Sequence, residues 1–123
     1  PQTMIFKSGL PIYQQIARRL TDEILAGKYG VDGRVPSVRE YSAIVEVNVN
    51  TTVKAYDWLA QNGYIYNKRG LGYFVAQNAP ALILELRRKE FREEYLPDLA
   101  RQMKALNLTF DDLKEAFSSL SLD

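Results

Sequence analysis

The stretch Asn48-Val49-Asn50-Thr51-Thr52-Val53-Lys54-Ala55-Tyr56-Asp57-Trp58-Leu59-Ala60-Gln61-Asn62-Gly63 reads as one helix with two chemically different sides. Thr52, Ala55, Tyr56 and Leu59 fall at the i, i+3, i+4, i+7 spacing that lines one side of a 3.6-residue helix, and this side faces a core. The opposite side carries Asn50, Val53, Lys54, Asp57 and Gln61, with hydrogen-bond donors and no carboxylate near its start. Asn48 suits the N-cap, where its side-chain oxygen can take a free amide of the first turn. Gly63 suits the position after the last helical residue, where φ turns positive. The sequence thus bounds the helix at both ends and leaves its polar side open to a partner.

Working back along the chain, Ser37-Val38-Arg39-Glu40 matches the capping box, in which the serine hydroxyl and the glutamate carboxylate exchange hydrogen bonds with each other's backbone N–H. A short helix begins at Val38, with Tyr41 and Val45 beside it on the inner side and Arg39 pointing away. Only Glu46 and Val47 separate it from the cap at Asn48, which is the spacing of a helix-turn-helix. Upstream again, Pro11 opens a helix at its first position, and Tyr13, Ile16, Ala17, Leu20 and Ile24 form its stripe as far as Ala26. Gly27 to Pro36 is a turn-rich connector with an extended step at Arg34-Val35. Residues 1 to 10 show no periodicity and are assigned no function.

Past Gly63 the period changes from 3.6 to two. Tyr64-Ile65-Tyr66-Asn67 and Tyr73-Phe74-Val75 are strand formers, and Lys68-Arg69-Gly70-Leu71-Gly72 between them predicts a β-hairpin with a basic tip. Glycines beside cations let backbone N–H groups come close to a phosphate chain. A solvated hairpin is the plain alternative for such a segment in isolation; directly after a helix-turn-helix, the phosphate reading is the stronger.

Composition narrows the chemistry. The 123 residues contain no Cys and no His, which excludes a thiol nucleophile, a disulfide framework, an imidazole base and a Cys/His zinc site. No enzyme activity, cofactor or metal is expected. No apolar run reaches the ~18 residues of a membrane span and no secretory leader is visible, so a cytoplasmic protein with no membrane partner is expected. The net charge of +1 divides unevenly: residues 1–78 carry nine Lys/Arg against six Asp/Glu, and residues 79–123 carry seven against nine. The basic excess is small and gains weight from lying beside the helix-turn-helix.

Residues 79–123 return to helical periodicity. Leu82, Leu86, Phe91, Tyr95, Leu99 and Met103 form one stripe, interrupted by Pro97, which must kink or restart the helix. Thr109 with Asp112 repeats the cap pattern, and Phe110, Leu113, Phe117 and Leu120 form a second stripe. So small a tail cannot bury both stripes alone, so they need either the DNA-binding domain or a second copy of the chain; a symmetric dimer is the favoured reading. Asp111, Asp112 and Glu115 complement the dipole of a helix N-terminus and are not read as a metal site. The expected fold is mostly α with a small β-hairpin: a helix-turn-helix with its hairpin over residues 11–78 and a two-helix tail over 79–123.

The segments Pro36-Ser37-Val38-Arg39-Glu40, Val47-Asn48-Val49-Asn50-Thr51, Ala55-Tyr56, Leu59, Gly63 and Arg69-Gly70-Leu71-Gly72-Tyr73-Phe74-Val75 together resemble the winged-helix domain of GntR-type bacterial transcription regulators. The resemblance covers roughly Pro11 to Val75, and the Asn-x-Asn-Thr start with the short tail is most similar to the YtrA subfamily. It implies a winged helix-turn-helix domain over residues 11–78, a dimerisation tail over 79–123, and a homodimeric repressor that binds double-stranded DNA at an inverted repeat. Carried over by position, it implies DNA contact by Arg39, Asn50, Thr51 and Lys54 in and around the major groove, and by Arg69 and Gly70 of the wing in the minor groove, with Gly72 supporting the wing turn. The chemistry agrees: Arg pairs with guanine or phosphate, Asn with adenine, and Thr hydroxyls with phosphate oxygens near a helix N-terminus. Asp57 and Gln61 lie later in the helix than the turns that read bases, and are left out.

Two positions depart from the family pattern. Thr52 stands where an aliphatic residue is usual, and Val53 where a polar one is usual. Val53 either touches a thymine methyl or packs sideways. Trp58 is read as a flank packed against another element. The roughly 45 residues after the hairpin are too few for a separate effector pocket, and the sequence identifies no small-molecule effector. Two other readings compete: a winged helix used as a protein-interaction or architectural module, and the N-terminal part of a GntR–aminotransferase fusion.

Overall fold

The structure, a computed structural model, describes residues 9 to 120. Most of the N-terminal segment given no function above, residues 1 to 8, lies outside the described residues. Among the described residues six α-helices and one antiparallel hairpin follow in the order α1 (Ile12–Leu25), α2 (Val38–Val45), α3 (Val49–Gln61), β1 (Ile65–Lys68), β2 (Gly72–Val75), α4 (Ala79–Glu90), α5 (Leu96–Ala105) and α6 (Phe110–Ser119), with a π-helical segment, Phe91–Tyr95, between α4 and α5. The chain forms two compact units, Pro1–Glu85 and Leu86–Asp123.

In the first unit the stripes meet in one core. Thr52, Ala55, Tyr56 and Leu59 of α3 are fully buried, together with Ala17 and Leu20 of α1, Tyr41 of α2, Val75 of β2 and Ala79 and Ile83 of α4. Each large apolar side chain sealed in this way contributes about 1.5–3 kcal/mol relative to exposure. Tyr56 is central: its ring lies 6.1 Å from Tyr41 and 5.1 Å edge-on from Tyr73, so one aromatic joins α2, α3 and β2.

Two details of the helices differ from the sequence reading. Pro11 is the N-cap of α1, one position earlier than expected, because its ψ of 152° is extended; its carbonyl accepts from Gln14 and Gln15. In α2 the buried pair is Tyr41 and Ser42, while Val38 and Val45 are half-buried. Ser42 tolerates burial because its hydroxyl donates back to the Val38 carbonyl at 2.7 Å.

The hairpin register pairs Ile65 with Val75, Tyr66 with Phe74, Asn67 with Tyr73 and Lys68 with Gly72. The extended step at Arg34-Val35 lies alongside β2 as a third extended segment. Arg34 bridges Phe74 antiparallel, the Val35 N–H donates to Tyr73 at 3.0 Å, and the Val75 N–H donates to Gly33 at 2.9 Å. The connector therefore covers the outer edge of β2, and the wing is attached to the chain entering α2.

In the second unit, Pro97 is the second residue of α5, with Leu96 between it and the π-helical segment. A proline there has no N–H for the ladder, and the preceding turn widens so that the Leu96 N–H reaches the Phe91 carbonyl. The expected restart at Pro97 thus takes the form of a π insertion. After α5, Asn107 adopts a left-handed conformation, φ 58°, and the Leu108 N–H returns to the Met103 carbonyl, which closes the helix end. The Asp112 carboxylate accepts from the Thr109 N–H at 2.6 Å, as the cap pattern at α6 predicts, and the Thr109 hydroxyl donates to the same carboxylate at 3.2 Å.

Candidate nucleic-acid interface

Helix α3 is capped at both ends as its sequence directs. The Asn48 side-chain oxygen accepts from the Asn50 N–H at 2.8 Å. At the other end Gly63 has φ +80°, the Tyr64 N–H reaches the Leu59 carbonyl at 3.0 Å and the Gly63 N–H the Ala60 carbonyl at 3.1 Å. A side chain at Gly63 would be strained in this conformation, and so the paired closing bonds favour glycine there.

With its inner side sealed, α3 presents Asn50 and Lys54 to solvent one turn apart, and Thr51 half-buried between them. Val53 is exposed beside them. Lys54 is not a free-swinging cation: its ammonium sits 4.4 Å over the ring of Tyr13, which is half-buried at the start of α1. A cation–π contact of this kind holds the charge in place at a cost of about 0.5–1 kcal/mol to break at an exposed site. Trp58 lies 6.1 Å from Tyr64, centroid to centroid, and so packs against the start of the hairpin.

Arg39 is exposed in the first turn of α2, whose capping box is complete: the Ser37 hydroxyl accepts from the Glu40 N–H at 3.1 Å and the Glu40 carboxylate from the Ser37 N–H at 2.8 Å. These bonds from Ser37, with Arg34 assisting, hold the Glu40 carboxyl below its ordinary value. The turn joining α2 to α3 passes through Glu46, whose φ of 58° is left-handed and unusual for a residue with a side chain.

Of the two basic residues in the wing, one faces outward without a ring against it. Lys68 closes β1, and its ammonium lies 5.0 Å over the Phe74 ring. Arg69, Gly70 and Leu71 form the three-residue turn, all exposed, with Gly70 at φ +79°. Gly72 has φ +111°, a backbone conformation that favours glycine, and a Cβ there would lie 3.2 Å from Nε of Arg34, a close approach that the arginine side chain would have to ease.

Arg34 was not among the residues singled out from the sequence. Its Nε donates to the Leu71 carbonyl at 3.2 Å and Nη1 lies 3.8 Å from Glu40. A contact across 37 residues leaves no local spacing to read, and the extended step around Arg34 was the one available sign.

A helix-turn-helix with a capped, outward-facing second helix and a basic hairpin after it is a winged-helix DNA-binding domain. The family model described as bacterial regulatory proteins, gntR family, matches residues 12–75. The HTH-type transcriptional regulator YhcF of Bacillus subtilis is 33% identical over 94% of this chain and 94% of its own length. The HTH-type transcriptional repressor YtrA of the same organism is 31% identical over 95% and 89%. A GntR-family regulator structure from Bacteroides thetaiotaomicron superposes with a TM-score of 0.73 at 42% identity, covering 89% of this chain and 96% of its own. The chain therefore belongs to the GntR family and is a DNA-binding transcription regulator. The DNA-binding domain of AraR in complex with operator ORX1 is similar at a TM-score of 0.53 and 30% identity over 58% of this chain and 93% of that one. Among the described residues no helix is long and apolar enough to cross a membrane.

Proposed function

We propose that this protein is a homodimeric repressor that binds an inverted-repeat operator, with α3 in the major groove and the hairpin tip in the neighbouring minor groove. The observation that carries the reading is the exposure of Asn50 and Lys54 one turn apart at the start of a helix whose opposite side is sealed in the core. Asn50 offers the amide pair that suits adenine, while Arg39, Thr51, Lys54, Arg69 and the backbone at Gly70 serve phosphate and groove edges. The second unit supports the dimer: Phe110, Leu120, Leu106, Phe91 and Phe117 are between 48% and 78% exposed in the single chain, and a second copy of the chain would cover such side chains. The YtrA relative is named a repressor, which supports repression as the outcome of binding.

The test is selection of the purified protein against random duplex DNA near physiological ionic strength, where non-specific binding is weak, with sedimentation of the protein alone alongside. An enriched inverted repeat and a dimeric mass are expected. A monomer, or binding that ignores both sequence and salt, overturns the proposal.

A further inference from the structure

The wing tip is closed within the hairpin by the Leu71 N–H, which donates to the Lys68 carbonyl at 2.8 Å, and is tethered in addition from outside it. The Arg34 guanidinium extends along the turn, donates from Nε to the Leu71 carbonyl at 3.2 Å, and places Nη1 3.8 Å from the carboxylate of Glu40. That carboxylate is itself fixed by the Ser37 N–H at 2.8 Å, and so belongs to the N-terminal turn of α2. Arg34 is anchored through its own backbone bridge to Phe74 and the adjoining Val35 N–H bond to Tyr73. With no side chain at Gly72, the guanidinium lies close against the turn, where a Cβ would approach Nε to 3.2 Å. Arg69, Gly70 and Leu71 are exposed, with Leu71 62% accessible, so burial does not set the tip's position.

We propose that Arg34 is a positioning residue for the wing: it ties the tip to the first turn of α2, and thereby sets where Arg69 and Gly70 stand relative to α3. The assignment rests on the reading of the hairpin as a DNA-contacting wing. Arg34 acts on DNA binding through the tip and not by its own contact with phosphate. A guanidinium suits the task because it is always charged and its planar fork can address a carbonyl and a carboxylate together, which a lysine ammonium on a flexible stem does poorly.

Two readouts on the full chain test this. In the free protein, Arg34→Ala should lower the backbone order parameters of Arg69, Gly70 and Leu71 from the rigid range of about 0.85 toward 0.6 or below, with α2 and α3 unchanged. Arg34→Met, which keeps the aliphatic stem and removes every donor, should do the same if the alanine variant is poorly folded. Tip order unchanged in both overturns the proposal. In DNA binding, with the duplex recovered from the random-sequence selection as probe, Arg34→Ala should weaken affinity about 5- to 10-fold in the parent protein and less than about 2-fold in Arg69→Ala, because residues acting through one element are not additive. Equal losses in both backgrounds, with the salt slope falling by about one, identify Arg34 as a direct phosphate contact and overturn the proposal. Failure of the DNA reading itself is distinct: the parent protein then binds no duplex, and the order parameters alone decide whether Arg34 ties the tip.

Discussion

The Tyr56 hydroxyl donates to the Pro36 carbonyl at 2.7 Å, so the middle of α3 is joined directly to the residue that leads into the cap of α2. The same tyrosine ring sits between Tyr41 and Tyr73. One side chain thus sets the spacing of both helices of the helix-turn-helix and of the strand behind the wing. Burial pushes the Tyr56 phenol well above the ordinary tyrosine value, so it stays a donor throughout the physiological range. Tyr56→Phe keeps the ring and removes the donor, and should cost about 1–2 kcal/mol, measured as a lower urea midpoint with unchanged slope. A variant as stable as the parent would show that the Pro36 carbonyl finds water instead.

Thr52 is fully buried in α3, and its hydroxyl has no hydrogen-bond partner. The desolvation of that oxygen is uncompensated, at the position where the family usually has an aliphatic residue. Thr52→Val should stabilise the protein by about 1–2 kcal/mol without altering DNA affinity. Thermal unfolding and a binding isotherm check both halves, and a loss of stability would mean that the hydroxyl is bonded after all.

Glu46 carries the left-handed turn between α2 and α3, with φ 58° and ψ 52°. The conformation costs a residue with a Cβ about 1–2 kcal/mol, and glycine adopts it freely. Part of the gain is offset by the greater unfolded-state freedom of glycine. Glu46→Gly should therefore raise stability by roughly 0.5–1 kcal/mol, and Glu46→Val should lower it. Chemical denaturation of the pair gives the answer, and the opposite order would sink the argument.

Tyr41 donates to the Glu23 carboxylate at 2.8 Å, and Glu23 also lies 3.7 Å from Lys28 and 3.9 Å from Arg19. Burial, then the bond to Glu23 and its charge, push the Tyr41 phenol far above its ordinary value of 10.0. The folded state thus holds the neutral phenol while the unfolded chain ionises. The stabilisation is complete below pH 10 and is lost as pH rises above it, at about 1.4 kcal/mol per pH unit for one group. Unfolding free energies measured from pH 8 to 11 should fall more gently in Tyr41→Phe than in the parent. Parallel slopes would show that Tyr41 titrates normally.

Asn50 is the proposed base-reading residue. Asn50→Ala should cost about 1–3 kcal/mol at one base pair of the selected operator and little at the others. A uniform loss across all positions would move Asn50 to the phosphate contacts, and no loss would remove it from the interface.

The sequence by itself determined the order of the main elements and those of their ends that are closed by local bonds. The capping box of Ser37 and Glu40, the Asn48 cap, the turn at Gly63 and the Thr109–Asp112 pair all join groups two to five residues apart, and each appears in the structure. The four inward positions of α3 were legible for the same reason, since helical period alone places them on one side. Tertiary structure decided the rest. Arg34 meets Leu71 across 37 residues, Tyr66 meets Asp32 across 34, Tyr56 meets Pro36 across 20, and Lys54 rests on Tyr13 from a different helix. No local spacing encodes such pairs; they exist only once the buried stripes have packed and brought distant backbone together. The burial of Ser42 in place of Val45 and the π turn before Pro97 have that same origin in contacts and hydrogen bonds that periodicity does not count.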